Sequence, residues 1–425
     1  MNILMMTNTY TPLVGGLERS VKSFTEEYRA RGHRVVVVAP TFKGMPRRER
    51  DVIRVPAIQN FNGTDFSVRL LIPGLLAKRL KKFRPDIVHA HHPFLLGDTA
   101  LRAAITHQVP LIFTHHTLFE QYTHYLPMNP DRAGRFLMEL ARSYANLCDQ
   151  VFAPSESVAA LLRKRRVLTP IEVVPTGIPM AYFRAGSRAR FRKTVHIPEG
   201  AFLVGHLGRL APEKNLRFLT RAVVSFLKRE PRARFVVIGQ GPSEPMIKRV
   251  CERAGVGERV YFPGVLKGRS LLEAYRAMDV FAFASKSETQ GLVLTEAMAA
   301  GVPVVAVDAP GVREVVHDGQ NGRLLPSEDV RQFAAALRWI SQRSAVEKQK
   351  MRQAARETAE VFSMPRCADR ALALYTSMLV QKSWTRKRDE SLWAGAMRRI
   401  QSEWDLLKKS AKATRAMMME AGAHR

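Results

Sequence analysis

The chain has 425 residues, 46% of them hydrophobic, and 67 Lys and Arg against 38 Asp and Glu, a formal net charge of +29. That length and apolar content suffice for two large cores and favour two or three domains over one. No apolar run approaches the roughly 18 residues of a membrane span, and "MNILMMTNTYTPLVGG" lacks the basic start and long apolar centre of a secretory signal, so a soluble, cytoplasmic chain is expected. The three cysteines, Cys148, Cys251 and Cys367, are odd in number and far apart, which argues against a disulfide framework or a Cys-based zinc site and for buried, inert thiols.

In chain order, "NILMM", "RVVVVAP", "DIVHAH", "PLIFTHH", "QVFAPS" and "IEVVP" read as strands buried on both faces. Helical patterns lie between most of them, as in "LERSVKSFTEEYRARGH", with Gly32 as its C-cap. The alternation predicts a parallel sheet covered by helices. It then restarts with "FLVGHLGRL", "RFVVIGQGP", "RVYFPGV", "VFAFAS" and "VPVVAVD", separated by segments such as "PSEPMIKRVCERAGV" and "RSLLEAYRAM". The boundary falls in "PTGIPMAYFRAGSRARFRK", which has Pro, Gly and basic residues and no clear period. Two doubly wound domains facing one another would bring the C-terminal ends of both sheets to one cleft, so the informative residues belong in strand-to-helix loops.

Three loops carry candidate chemistry. "NTYTPLVGGLERS" puts Gly15 and Gly16 before a helix whose start offers free N–H groups to an anion, although a tight turn explains two glycines equally well and the pattern is not GxGxxG. "HLGRLAPEKNLRFL" has Arg209 and Lys214 at the equivalent point of the second series, where they would neutralise a diphosphate. "SETQGLVLTEAMAAGVPVVAVD" puts Glu288 beyond a strand, Gln290, Gly291 and Leu292 near a helix start, and Glu296 about one turn inside it. Backbone amides there suit a leaving phosphate, and two carboxylates can accept from sugar or ribose hydroxyls; helix capping and dipole compensation account for one Glu but not obviously for both. His89, His91, His92, His115 and His116 cluster at two strand ends, but no Asp, Glu or Cys pattern completes a zinc site, and the chain has no Asp-x-Asp pair to hold a metal–diphosphate complex. The expectation is therefore no cofactor and no metal, with Arg209 and Lys214 stabilising the leaving group.

Taken together these residues resemble a known family. Glu288 and Glu296 fit the Glu-x7-Glu motif of the retaining family 4 glycosyltransferases, which have the two-domain GT-B fold; "GGLE", "GRLAPEKN", "GQGP", "YFPGV" and "NGRLLP" look like its other landmarks, in order, across about residues 1–380. The fold class implied is α/β, two Rossmann-like domains with a C-terminal helical extension. Residues 1–178 would form the acceptor-side domain, 179–363 the nucleotide-sugar domain, 364–381 a crossover helix back to the first domain, and 382–425 a basic amphipathic tail. The resemblance implies that Gly15 and Gly16 approach the donor's diphosphate, that Arg209 and Lys214 clamp it, and that Glu296 holds the ribose. It puts Glu288 near the transferred sugar, with amides around Gln290, Gly291 and Leu292 at sugar and phosphates. "HHPFLLGDTALRAA" and "PLIFTHHTLFEQYTHYLP" look most like the diacylglycerol glucosyltransferases, with His116 and Thr117, then Glu120 and Tyr122, matching their pattern and His115 standing where an aromatic residue is usual. By that resemblance His116 lies by the sugar and helps stabilise charge at the anomeric carbon.

The implied reaction transfers a hexose, glucose from UDP-glucose foremost, with retention to a membrane lipid such as diacylglycerol. A mannosyltransferase, a soluble or polysaccharide acceptor, and a catalytically silent basic binding protein are the alternatives. A lipid acceptor makes sense of the charge, spread over "KRLKKFR", "RKRR", "RAGSRARFRK" and "WTRKRDE", as attachment to the anionic inner face of a membrane. Nucleic acid competes as a partner, but no recognised reader is present and the basic runs lack regular aromatic interleaving. In the tail, Trp393, Met397, Ile400, Trp404 and Leu407 make an apolar stripe among basic residues, suited to a membrane interface, to packing on the protein or to a partner.

Overall fold

The structure, a computed structural model, describes residues 1–13, 15–58, 68, 69, 76, 80, 82–118 and 130–381. Glu120, Tyr122 and the tail beyond 381 lie outside the described residues. The described residues divide into two compact units: those within Met1–Pro154, Ala159–Val174 and 370–381 form one, Ser155–Val158 and Pro175–Asp369 the other.

The first unit contains strands β1 (Asn2–Met6), β2 (Arg34–Pro40), β3 (Val52–Val55), β4 (Ala57–Ile58), β5 (Val68–Arg69), β6 (Ile87–Ala90), β7 (Leu111–Thr114), β8 (Gln150–Ala153) and β9 (Ile171–Val173). Among the described residues, seven of them form a parallel sheet ordered β3-β2-β1-β6-β7-β8-β9, while β4 and β5 make a separate antiparallel pair. The apolar runs predict this because a parallel strand with helices on both faces has no solvent side: Ile3–Met6 and Val35–Ala39 are all buried. The helix Gly16–Ala30 ends in a left-handed Gly32 (φ 82°), whose N–H donates to the Arg29 carbonyl. That is the terminator the sequence promised. The helix Met364–Gln381 brings the fully buried Tyr375 against Phe152, its ring stacked at 5.8 Å, and edge-on to Tyr28.

The second unit contains β10 (Phe202–Leu207), β11 (Ala233–Ile238), β12 (Val260–Gly264), β13 (Val280–Phe283), β14 (Val304–Val307) and β15 (Gly322–Leu325) in a parallel sheet ordered β12-β11-β10-β13-β14-β15. Strand periodicity divides its core in two. Leu203, Val236, Phe281, Val304 and Ala306 join one buried cluster with the helices Gly268–Ala277 and Leu292–Ala299, while Val204, Phe235, Val237, Ala282, Val305 and Val307 join another with Leu216–Arg229 and Val330–Ser341.

Some features read as surface or motif are internal supports. In the basic run at 184–193, Arg188 and Arg192 turn onto Asp279 at 2.8 and 2.9 Å, joined by Arg352 at 3.3 Å, and Arg192 is buried. Asn321 of "NGRLLP" is buried and donates to the Val315 carbonyl and the Thr358 hydroxyl, accepting in turn from His317 N–H. Cys148, Cys251 and Cys367 are buried and in no disulfide among the described residues, and burial pushes the Cys251 thiol up to about 11. Among the described residues no helix is long and apolar enough to cross a membrane.

Candidate active site

Each sheet reverses its strand order beside its first strand, between β1 and β6 in one unit and between β10 and β13 in the other. Crossovers leave in opposite directions there, so the two loops at the strand C-termini part and leave a crevice for a ligand. In both units side chains tie those two loops together.

In the second unit the loop after β10 carries Arg209, exposed, and Lys214, on a 3-10 turn at Pro212–Lys214. The loop after β13 carries Glu288. Lys214 Nζ donates to Glu288 Oε1 at 2.6 Å, and Ser285 Oγ donates to the same oxygen at 2.8 Å. Both ends of the ion pair are 18% exposed, so it is only partly open to solvent. Asn215 Nδ2 donates to the Ala284 carbonyl, and Ser287 Oγ to that of Glu213, lacing the loops further. The loop after β11 buttresses the first of them: Gly208 N–H reaches the Ile238 carbonyl, Leu210 N–H reaches Gln240, and Ser243 N–H returns to Leu210. The "GQGP" motif therefore braces the loop that carries Arg209.

Beyond Glu288, Gly291 (φ 70°) starts the helix Leu292–Ala299 with no side-chain cap; the Leu294 N–H turns back to the Gly291 carbonyl at 2.8 Å, and the amides ahead of it lack helical acceptors. Gln290 is buried, and its amide grips Thr176 from both sides, accepting from its N–H at 2.7 Å and donating to its carbonyl at 2.8 Å. Gly311 (φ 75°) packs so closely that a Cβ there would lie 2.8 Å from the Gln290 nitrogen. Glu296 is 1% exposed, inside the core, and its Oε2 accepts from Tyr275 OH at 2.7 Å. This tie orients a carboxylate that a purely apolar neighbourhood would leave costly.

In the first unit Gly15, in extended conformation, precedes the helix Gly16–Ala30, and no side chain caps it; the Glu18 carboxylate folds over the position a Gly15 side chain would take. Gly16 is exposed at the helix start. Asn8, after β1, binds the loop after β6 with three groups: its N–H donates to His92 Nδ1, its Nδ2 to the Phe94 carbonyl, and its Oδ1 accepts from Leu96 N–H.

The histidines sit on the neighbouring strand ends. His89 bonds to Tyr375 OH at 2.6 Å and Thr114 Oγ1 at 2.7 Å, and burial lowers it to about 3, as it does His92. His91 Nδ1 lies 3.0 Å from His116 Nε2, and burial pulls both far below the usual imidazole range. His115 is buried edge-on against Phe113, while His116 is partly exposed. Among the described residues no group of three or more His, Cys, Asp or Glu is arranged to hold a metal.

The structure thus joins Lys214 to Glu288 and sets Arg209 on the same loop, with Gln290–Leu292 following; Gly15, Gly16 and His116 belong to the first unit. Sequence reasoning did not single out Ser285, Tyr275, Asn8 or the His91–His116 contact. Ser285 stands three residues before Glu288, a legible spacing; the others pair residues 21 or more positions apart.

Two parallel-sheet units, with a basic and an acidic residue laced at the switch point of the second, define a doubly wound α/β protein of the class that takes ligands at the C-terminal ends of its strands. The family follows from the chain itself: residues 14–182 match the model of "Glycosyltransferase Family 4" and residues 187–360 that of "Glycosyl transferases group 1". The chain is 31% identical over 336 residues to an alpha-monoglucosyldiacylglycerol synthase of Streptococcus pneumoniae, covering 77% of this chain and 76% of that one. It is 30% identical over 389 residues to a GDP-mannose-dependent alpha-mannosyltransferase of Mycolicibacterium smegmatis, covering 90% and 99%. The solved structure of Anabaena HepE in complex with UDP and glucose matches with a TM-score of 0.72 over 89% of this chain and all of that one, at 20% identity, a likeness of fold. The protein belongs to the family 4 glycosyltransferases and has the GT-B class of fold.

Proposed function

We propose that the protein transfers glucose from UDP-glucose, with retention of configuration, to a membrane lipid such as diacylglycerol. The observation that carries the transferase chemistry is the Lys214–Glu288 pair beside Arg209 at the second unit's switch point. A nucleoside diphosphate leaving group develops negative charge, and cations carried on a loop laced in place are at hand to neutralise it. Arg209 and Lys214 clamp the diphosphate, with Gly15, Gly16 and the amides of Gln290, Gly291 and Leu292 serving phosphates and sugar. Glu296, held by Tyr275, takes the ribose hydroxyls, Glu288 the sugar, and His116 the charge at the anomeric carbon.

Glu288 shares one oxygen with Lys214 and Ser285, an arrangement that suits a positioning group better than a nucleophile. The route is front-side: the acceptor oxygen bonds to the anomeric carbon as the bond to the phosphate oxygen breaks on the same face. The acceptor proton passes to that departing oxygen. No metal is needed in this scheme, so EDTA should leave turnover unchanged; loss restored by magnesium would refute it.

The glucosyl and lipid assignments are supported by the likeness to alpha-monoglucosyldiacylglycerol synthases of Streptococcus pneumoniae and Acholeplasma laidlawii. The charge of +29 supports peripheral attachment to an anionic membrane face, since each Lys or Arg near one contributes about 1 kcal/mol. The longer match to a GDP-mannose-dependent mannosyltransferase keeps mannose as the second reading. The test is mass spectrometry of anionic vesicles containing diacylglycerol after incubation with the protein and UDP-glucose or GDP-mannose. A hexosyl-diacylglycerol from UDP-glucose is expected. Product from GDP-mannose alone would replace the donor, and donor hydrolysis without lipid product would overturn the acceptor.

A further inference from the structure

The imidazole of His116 has its Nε2 taken by His91 Nδ1 at 3.0 Å. His91 is 2% exposed, and its ring lies between those of His89, at 4.3 Å, and His116, at 5.2 Å, both inclined by 29°. His89 is fixed at both nitrogens by Tyr375 and Thr114, so the stack has a rigid base. A neutral imidazole has one donor and one acceptor, so one proton lies in the contact and the pair has two arrangements. If His116 donated, His91 would carry its own proton on Nε2, a buried atom with no hydrogen-bond partner among the described residues. If His91 donates, that buried atom is a bare lone pair. Among buried backbone groups an orphaned N–H is rarer than an under-satisfied acceptor, and the same preference applied to the imidazole favours the bare lone pair.

We infer that His91 is a positioning residue: by donating from Nδ1 it holds His116 in the tautomer with its proton on Nδ1, so that His116 serves the sugar as a hydrogen-bond donor and not as a base. The catalytic part of this rests on the function proposed above; the tautomer does not. Burial keeps both rings neutral near pH 7, which is consistent with a single shared proton.

The experiment uses the full chain labelled with [15N-imidazole]histidine. Long-range 1H–15N correlation, with the His116 signals identified by their loss in His116→Gln, is expected to show a protonated Nδ1 and an unprotonated Nε2 on His116. Turnover follows the same order. His91→Leu, which cannot donate, should lower kcat about tenfold to a hundredfold, the range of a lost hydrogen bond to a reacting group, with the donor KM within about twofold. His91→Asn, whose amide nitrogen stands where Nδ1 was, should recover most of that loss. A wild-type His116 protonated on Nε2 overturns the inference, and so do equal losses in His91→Leu and His91→Asn. The spectrum decides the tautomer even in a protein that transfers no sugar, so the two readings fail separately.

Discussion

Replacing Lys214 by methionine keeps the unbranched side chain to within one atom of its length and removes its charge, and so separates a structural ion pair from a catalytic cation. The pair with Glu288 is short, 2.6 Å, and both side chains are 18% exposed. It therefore falls between exposed pairs, worth about 0–1 kcal/mol, and buried ones, where losing a partner costs about 3–5 kcal/mol. Glu288 keeps its bond from Ser285, so Lys214→Met should reduce the unfolding free energy by about 1–2 kcal/mol. Losing one donor at a developing oxyanion costs more, about a hundredfold to a thousandfold in kcat. Urea unfolding measures the first quantity and initial rates of UDP release the second. A double-mutant cycle with Glu288→Gln adds a sharper point: the coupling between the two residues should be present without UDP and shrink with saturating UDP, because the diphosphate takes Lys214 from its partner. Near-normal kcat in Lys214→Met, or a coupling indifferent to UDP, would refute the reasoning.

Three further perturbations probe the surrounding frame. Tyr275→Phe removes the hydrogen bond to the buried Glu296 carboxylate and should cost about 1.5–3 kcal/mol of stability and raise the donor KM, read by urea unfolding and steady-state kinetics; an unchanged KM would detach Glu296 from the ribose. His206 is buried, donates from Nδ1 to the Ala282 carbonyl and is pulled by burial down to about 4. With the folded value below the unfolded one of about 6.5, its stabilisation is present above pH 6.5 and lost as pH falls from there to about 4, at about 1.4 kcal/mol per pH unit. His206→Phe should flatten the pH dependence of urea unfolding by about that slope across this window; an unaltered slope would show that another group titrates. Gly311→Ala introduces a Cβ 2.8 Å from the Gln290 nitrogen at φ 75°, with a backbone cost of about 1–2 kcal/mol, and should weaken UDP binding in a titration by displacing the Gln290–Leu292 segment; unchanged affinity would remove that segment from the donor site.

What the sequence determined is the local and the periodic. Runs such as Val35–Ala39 and Phe281–Ala284 declare strands buried on both faces, because burial on two sides demands apolar residues at every position, and Gly32 declares a helix end because a left-handed cap has little else to use. The short edge strands β3 and β15 escaped notice: they carry Arg54 and Arg323, and an edge strand half open to water needs no apolar run. Residues of the site could be named wherever chemistry and position coincide within one loop, as with Glu288, Gln290 and Gly291. Only the tertiary structure decided which of them meet. That Lys214 grips Glu288 depends on β10 and β13 lying side by side at a reversal of sheet order, that His91 faces His116 on β6 and β7 being neighbours, and that Tyr275 rather than solvent holds Glu296 on the packing of the helices Gly268–Ala277 and Leu292–Ala299. Strand periodicity says which face a residue takes and nothing about which strand is its neighbour; that choice is made by the packing of helices over the sheet, a property of the whole chain.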